Sequence, residues 1–252
     1  MSVPFQCLPP EVGVACGRLR DELGALLGDD LIALWVHGAA TFDDRPHLLG
    51  DVDTHGILVR PPELGAAMAI EGIHDSIAAD TGVEWDSWYI LEREARGVRP
   101  PRHALWEHLV DHAWALHRAH WLAGQYVALG GSRPTDFVTP PMWSELQQAL
   151  RSELDYMEGL VKLGHDDGGH GAFVVWNGCR IICSVETRNV VLSKRAAADW
   201  ALNHLPKALH AAVRAAGRVY DGIARTHDES ILKAAAPLVI AAARDRLRVD
   251  HE

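Results

Sequence analysis

Cysteine is scarce in this chain: Cys7, Cys16, Cys179 and Cys183 are its whole complement, and no two of them form a CxxC pair. That composition excludes a disulfide scaffold, and the four are expected as reduced thiols packed in the core. Basic residues are also in deficit, with 24 Lys and Arg against 34 Asp and Glu and a formal charge of −10. A nucleic-acid partner is therefore excluded, since such a surface needs a basic face to displace counterions from phosphates. An acidic cleft that draws in a cationic small molecule fits the balance better. No apolar run approaches the roughly 20 residues of a membrane span. Nor does an N-terminal stretch combine basic, apolar and small-residue cleavage segments, so a soluble cytoplasmic protein without a membrane partner is expected. Internal repeats and low-complexity tracts are missing too.

What is present is core-forming material. With 252 residues, 48% of them hydrophobic, the chain can bury a sizeable interior, and its patterning divides in two. Residues 11–28 carry Val14, Leu19, Leu23 and Leu26 or Leu27 at helical spacing and end at Gly28. The apolar run Leu31 to Val36 then reads as a buried strand ending in the turn His37-Gly38-Ala39-Ala40, and Asp51-Val52-Asp53 leads into Ile57-Leu58-Val59. After Pro61-Pro62 the stretch Leu64 to Ile77 reads as a second helix. Beyond Gly82, Val83 to Ile90 reads as a third strand, rich in aromatic and branched residues.

From about residue 102 strand signals fade, and helical patterns are expected at 103–129, 141–163, 171–187, 195–216 and 228–248. Pro100 and Pro101 mark the boundary. The expected architecture is α+β: a domain over 1–100 with a small mixed sheet and flanking helices, and an all-helical domain over 101–252 that closes a shared cleft.

The chemistry concentrates on the strands. Side chains of an extended chain alternate faces, so Asp51 and Asp53 point the same way, close enough to share a divalent cation. Glu84 and Asp86 alternate onto one face of the third strand. A carboxylate there can take a proton from an attacking hydroxyl while the aspartate pair holds Mg²⁺ against phosphate oxygens, and the glycine turn lets a triphosphate approach the backbone. Glu84 is the preferred base and Asp86 the alternative. A rival reading is a zinc hydrolase, since His108 and His112 stand one helical turn apart beside Asp111 in a chain with 15 histidines. Trp85, Trp88 and Trp106, among nine tryptophans, lie near the carboxylates and are candidates for stacking on a base or sugar.

Gly38-Ala39 followed by Asp51-Val52-Asp53 resembles the Gly-Ser-x(n)-Asp-x-Asp signature of the DNA polymerase β-like nucleotidyltransferases. Asn177-Gly178-Cys179-Arg180-Ile181, Ser193-Lys194 and Ala197-Ala198-Asp199-Trp200-Ala201-Leu202-Asn203-His204-Leu205-Pro206 are similar to the C-terminal helical domain of the aminoglycoside 3''-adenylyltransferases, the streptomycin and spectinomycin resistance enzymes. The resemblance spans roughly residues 30–215. It implies transfer of AMP from ATP to a hydroxyl of an aminoglycoside- or aminocyclitol-like molecule, with Mg²⁺ as cofactor. By it, Asp51 and Asp53 are metal ligands and Glu84 the base. Gly38, Ala39, Arg180 and Lys194 bind the nucleotide, while Trp106, Asp166 and His170 fall at acceptor-binding positions. Two positions depart from the pattern: Ala39 stands where a serine is usual, and His170 where an acid is. The first suggests a non-catalytic nucleotide- or ligand-binding relative, and the second a different acceptor, such as a biosynthetic hydroxyl compound or a protein side chain. Oligomeric state is left open by these signals.

Overall fold

A computed structural model describes residues 2–45, 51–164 and 168–249. The chain divides into two compact units, Met1–Asp43 with Gly50–Pro141, and Asp44–Leu49 with Met142–Glu252. The class is α+β. Among the described residues, no helix is long and apolar enough to cross a membrane.

The first unit opens with α1 (Pro10–Leu27), which has proline in its first turn and buries Val12, Ala15, Cys16, Leu19 and Leu23. These positions recur at helical spacing and form one stripe, whereas Val14 falls outside it and is exposed. Then come β1 (Leu31–Val36), β2 (Asp51–Leu58), α2 (Leu64–Thr81) and β3 (Glu84–Leu91). With a fourth strand, β4 (Val127–Gly131), the sheet order is β3-β2-β1-β4. β1 runs antiparallel to both of its neighbours, while β2 and β3 are parallel and joined through α2. A parallel pair needs such a crossover, and the left-handed Gly82 that ends α2 turns the chain back into β3. Behind the sheet, Trp35 is fully buried, with ring centroids 5.0 Å from Trp121 and 5.5 Å from Phe137.

The expected helix over 103–129 is largely not a helix. After a short turn of helix, α3 (Glu92–Ala95), residues 103–113 form an irregular loop carrying one bridge between Arg102 and Val110, and only α4 (Trp114–Leu122) is helical. Val127–Gly131 is a strand, β4, which pairs with the free edge of β1 from Val36↔Val127 to Ala33↔Gly131. That pairing draws residues 101–141 into the first unit, so the compact units part between Pro141 and Met142 instead of at the double proline. Gly131 is required where it stands. Its φ is +77°, and a Cβ there would lie 1.9 Å from the Ile32 carbonyl oxygen.

The second unit consists of α5 (Trp143–Lys162), α6 (Gly168–Thr187), α7 (Lys194–His204), α8 (Lys207–Tyr220) and α9 (Asp228–Val249), together with Asp44–Leu49. The pattern expected as one helix over 195–216 is two, since Pro206 has no N–H to continue α7. α6 packs closely on α9: a Cβ on Gly178 would meet Val239 Cγ1 at 2.3 Å. Cys179 and Cys183 are buried here and Cys16 in the first unit, as thiols without disulfides. Burial raises the Cys16 and Cys179 pKa values to about 12. Cys7 departs from the expected core position, because it sits in the exposed turn before α1.

Candidate active site

The carboxylates stand on two parallel neighbours. Asp51 is registered against Glu84 and Asp53 against Asp86, so the strand alternation that puts Asp51 and Asp53 on one face puts Glu84 and Asp86 beside them. Asp51, Glu84 and Asp86 reach solvent, and Asp53 is half-buried. Crowding by neighbouring atoms raises the Asp86 pKa above the usual aspartate value, and the Asp51 charge adds to that shift.

The turn after β1 is fitted to one of these groups. Gly38 has φ +67°, and an added Cβ would lie 1.7 Å from Asp53 Oδ2 and 2.6 Å from Asp53 Cγ. The carboxylate thus rests against the glycine Cα, in space that any other residue would fill. The His37 backbone N–H donates to the Asp53 carbonyl at 2.9 Å and ties the same turn to β2. Ala39 follows in a 3₁₀ turn spanning Gly38–Thr41, closed by Thr41 Oγ1 donating to the Gly38 carbonyl.

Below this face lies a polar network that the sequence reading did not single out. His55, two residues past Asp53 on the same strand face, is fully buried. Its Nδ1 is 2.8 Å from His37 Nε2, and its Nε2 is 3.3 Å from Asp111 Oδ2. His117 Nδ1 approaches that same oxygen at 2.9 Å. Burial raises and the two histidines lower the Asp111 pKa, and the net effect holds it well below the carboxylate range. Burial lowers the His117 pKa, but Asp111 outweighs it and the value is raised, with Asp53 and Asp86 contributing. His37 is lowered by burial and then by His117 and His55. The strand alternation could have marked His55, since it follows Asp53 by two.

The His108 and His112 pair loses its premise, because residues 103–113 are not helical and both side chains are exposed. Trp106 is 38% exposed; its ring lies 4.4 Å from that of His103, and its Nε1 donates to Glu71 Oε1 at 3.0 Å. Trp88 shares the carboxylate face of β3 and packs on His103 at 5.2 Å, whereas Trp85 points to the other face, toward His74 at 5.5 Å. In the second unit, Arg180 lies on α6 and is half-buried. Lys194 opens α7 behind the N-cap Ser193, its Nζ 4.7 Å from the centroid of Phe173. Neither has an ion-pair partner among the described residues. His170 is half-buried on α6. Asp166 lies outside the described residues.

Residues 144–244 match the model of the aminoglycoside adenylyltransferase C-terminal domain. The C-terminal helical region is thus an aminoglycoside adenylyltransferase C-terminal domain. A domain of this kind marks the chain as a nucleotidyltransferase by class. The crystal structure of the spectinomycin adenyltransferase AAD(9) from Enterococcus faecialis with ATP and spectinomycin is similar to it at a TM-score of 0.72. That likeness covers 93% of this chain and 98% of the other at 15% identity, and is a likeness of fold. No curated protein matches the chain.

Buried and half-buried histidines give the stability of this chain a pH dependence. Burial, the largest cause, lowers His55, His74 and His103 to about 4. In the unfolded chain each titrates near 6.5, so below that pH the unfolded state binds more protons and stability falls. The loss runs from about pH 6.5 down to about 4, and each fully buried group contributes on the order of 3 kcal/mol. His117 acts in the opposite sense: its contribution is present below about 6.5 and fades as pH rises through its raised value. The expected result is a melting temperature that drops steeply between pH 6.5 and 4.5, read by thermal circular dichroism. A flat profile over that range contradicts the assignment of neutral buried imidazoles.

Proposed function

We propose that the protein is an ATP- and Mg²⁺-dependent adenylyltransferase that moves AMP to a hydroxyl of an aminoglycoside- or aminocyclitol-like acceptor and releases pyrophosphate. The observation that carries this reading is the parallel register of Asp51 with Glu84 and Asp53 with Asp86. The donor set fits the cation: carboxylate oxygens suit a hard ion, and the space at Gly38 that a Cβ would fill admits the Asp53 carboxylate to the turn. Asp51 and Asp53 would hold Mg²⁺, which when bound neutralises charge on the triphosphate.

The remaining work falls to the chain. Glu84 accepts the proton of the acceptor hydroxyl as its oxygen bonds to the α-phosphorus, and the bond to the β-phosphate breaks. Asp86 is the alternative base. Gly38 and Ala39 offer backbone to the phosphates, Arg180 a planar fork and Lys194 a point charge. Trp106, Asp166 and His170 are assigned to the acceptor. A cationic acceptor agrees with a chain of formal charge −10. The reaction draws on cytoplasmic ATP and needs neither nucleic acid nor membrane.

The test is direct. The protein is incubated with labelled ATP, Mg²⁺ and a panel of aminocyclitols and aminoglycosides, with pyrophosphate release and product mass as readouts. The expected product is the acceptor plus one AMP group. A second reading, the same chemistry on another hydroxyl compound or a protein side chain, rests on His170 standing where an acid is usual. It predicts pyrophosphate release with other acceptors and none with the antibiotics. ATP binding without release in every case defeats both and leaves a binding protein.

A further inference from the structure

The network under the carboxylate face has the make-up of a second cation site. His55, Asp111 and His117 each offer one ligand atom, and these atoms all lie within 4.8 Å of one another. They come from three places in the first unit: the middle of β2, the loop after residue 103, and α4. A tetrahedral ion with bonds of about 2.0–2.2 Å spaces its ligand atoms roughly 3.3 Å apart. The separations of 3.3 and 2.9 Å from Asp111 Oδ2 are close to that edge.

Outer partners already orient two of the three donors. Asp111 Oδ1 accepts the Ala113 backbone N–H at 3.0 Å, which leaves Oδ2 turned to the imidazoles. His55 Nδ1 is held by His37 Nε2 at 2.8 Å. Such contacts fix ring orientation and tautomer in metal-binding histidines. An aromatic wall encloses the donors, with the rings of Trp121 and Trp114 centred 4.8 and 6.4 Å from His55. A low-dielectric wall of this kind limits water access and strengthens charge interactions inside. His117, whose side chain is 22% exposed, leaves a way in.

We propose that His55, Asp111 and His117 bind a zinc-type divalent transition cation, at a site that uses none of the residues assigned to Mg²⁺ and the nucleotide. Two imidazoles with one carboxylate suit Zn²⁺ or Co²⁺, whereas Mg²⁺ takes oxygen donors. Three protein ligands leave the fourth position to water. The protons balance. Without the ion, Asp111 Oδ2 accepts N–H groups from both imidazoles. When it binds, the His55 proton passes to Nδ1 and is donated to His37 Nε2, whose own proton passes to Nδ1. His117 keeps its Nε2 proton and releases the one on Nδ1 to solvent. The ion then cross-links β2 to the loop and α4.

The test uses untagged, chelator-treated protein carrying Asp51→Asn and Asp53→Asn, so that the carboxylate pair cannot contribute. Addition of Co²⁺ is expected to give the visible d–d bands of a tetrahedral site at one equivalent, and Zn²⁺ to abolish them while raising the melting temperature by mass action. X-ray absorption of the zinc form is expected to show two imidazoles with oxygen. His117→Ala and the isosteric Asp111→Asn each weaken cobalt uptake at least tenfold. Absence of the bands, an oxygen-only shell, or uptake unchanged in both variants overturns the proposal. None of these readouts depends on adenylyl transfer, so the site stands or falls apart from the proposed function.

Discussion

Glu84→Gln binds ATP and Mg²⁺ nearly as the wild type does and loses adenylyl transfer by about 10²–10⁴-fold, the range for removal of a positioned general base. The change preserves shape and removes only the ability to take a proton. Glu84 opens β3 at an exposed position opposite Asp51, so little packing depends on its charge. Calorimetry with ATP and Mg²⁺ reads binding, and single-turnover transfer with a competent acceptor reads chemistry. Asp86→Asn is the comparison that gives the experiment its edge. Asp86 has a pKa raised by the crowding of neighbouring atoms and by Asp51, and it faces Asp53 in register, so it is the group best placed to exchange roles with Glu84. If Asp86→Asn abolishes transfer while Glu84→Gln keeps wild-type turnover, the base is Asp86. A large loss of ATP and Mg²⁺ affinity on Asp86→Asn, with residual turnover at saturation, makes it a metal ligand.

Gly38→Ala is expected to damage both the turn and the Asp53 carboxylate proposed to bind Mg²⁺. The new methyl carbon would sit 1.7 Å from Asp53 Oδ2 at a residue with φ +67°. Left-handed backbone costs an L-residue about 1–2 kcal/mol, and relieving the overlap demands that Asp53 swing away or the turn rebuild. A displacement of about 1 Å at a reacting centre costs roughly 10²-fold in rate. The expected result is therefore a fall of that order in kcat with a higher Mg²⁺ requirement, beside a modest loss of melting temperature. Normal Mg²⁺ dependence together with normal kcat would show that Asp53 does not need its present position.

These two residues also show how far the sequence alone reaches. β1 could be read because an apolar run is bounded by a glycine turn, and the shared face of Asp51 and Asp53 follows from strand alternation whatever the fold. The pairing of that face with Glu84 and Asp86 depends on β2 and β3 lying side by side in parallel. α2 between two strands is compatible with such a pairing and does not by itself fix the register. β4 was illegible for a physical reason. Val127-Ala128-Leu129-Gly130-Gly131 is short and ends in two glycines, and it is extended because β1 offers an edge to pair with. Residues 103–113 carry apolar positions that imitate a helix. Their backbone bonds instead run across the loop, from His103 N–H to the Leu109 carbonyl and from Asp111 N–H to the Pro101 carbonyl. That loop delivers Asp111 to His55, 56 positions away in sequence, a distance no local pattern spans.

The late arrival of β4 has a consequence for how the protein comes into being. On one side β1 meets β2 soon after both are synthesised, since Val36 pairs with Thr54; on the other side the same Val36 waits for Val127. Until the ribosome has released that segment, Leu34, Trp35 and Val36 present an apolar strand with an unpaired row of backbone groups. Such an edge is a template for pairing with a neighbouring chain. A fragment cut at Pro100 and Pro101 would carry this edge permanently, and the nascent protein carries it until Gly131 has been made.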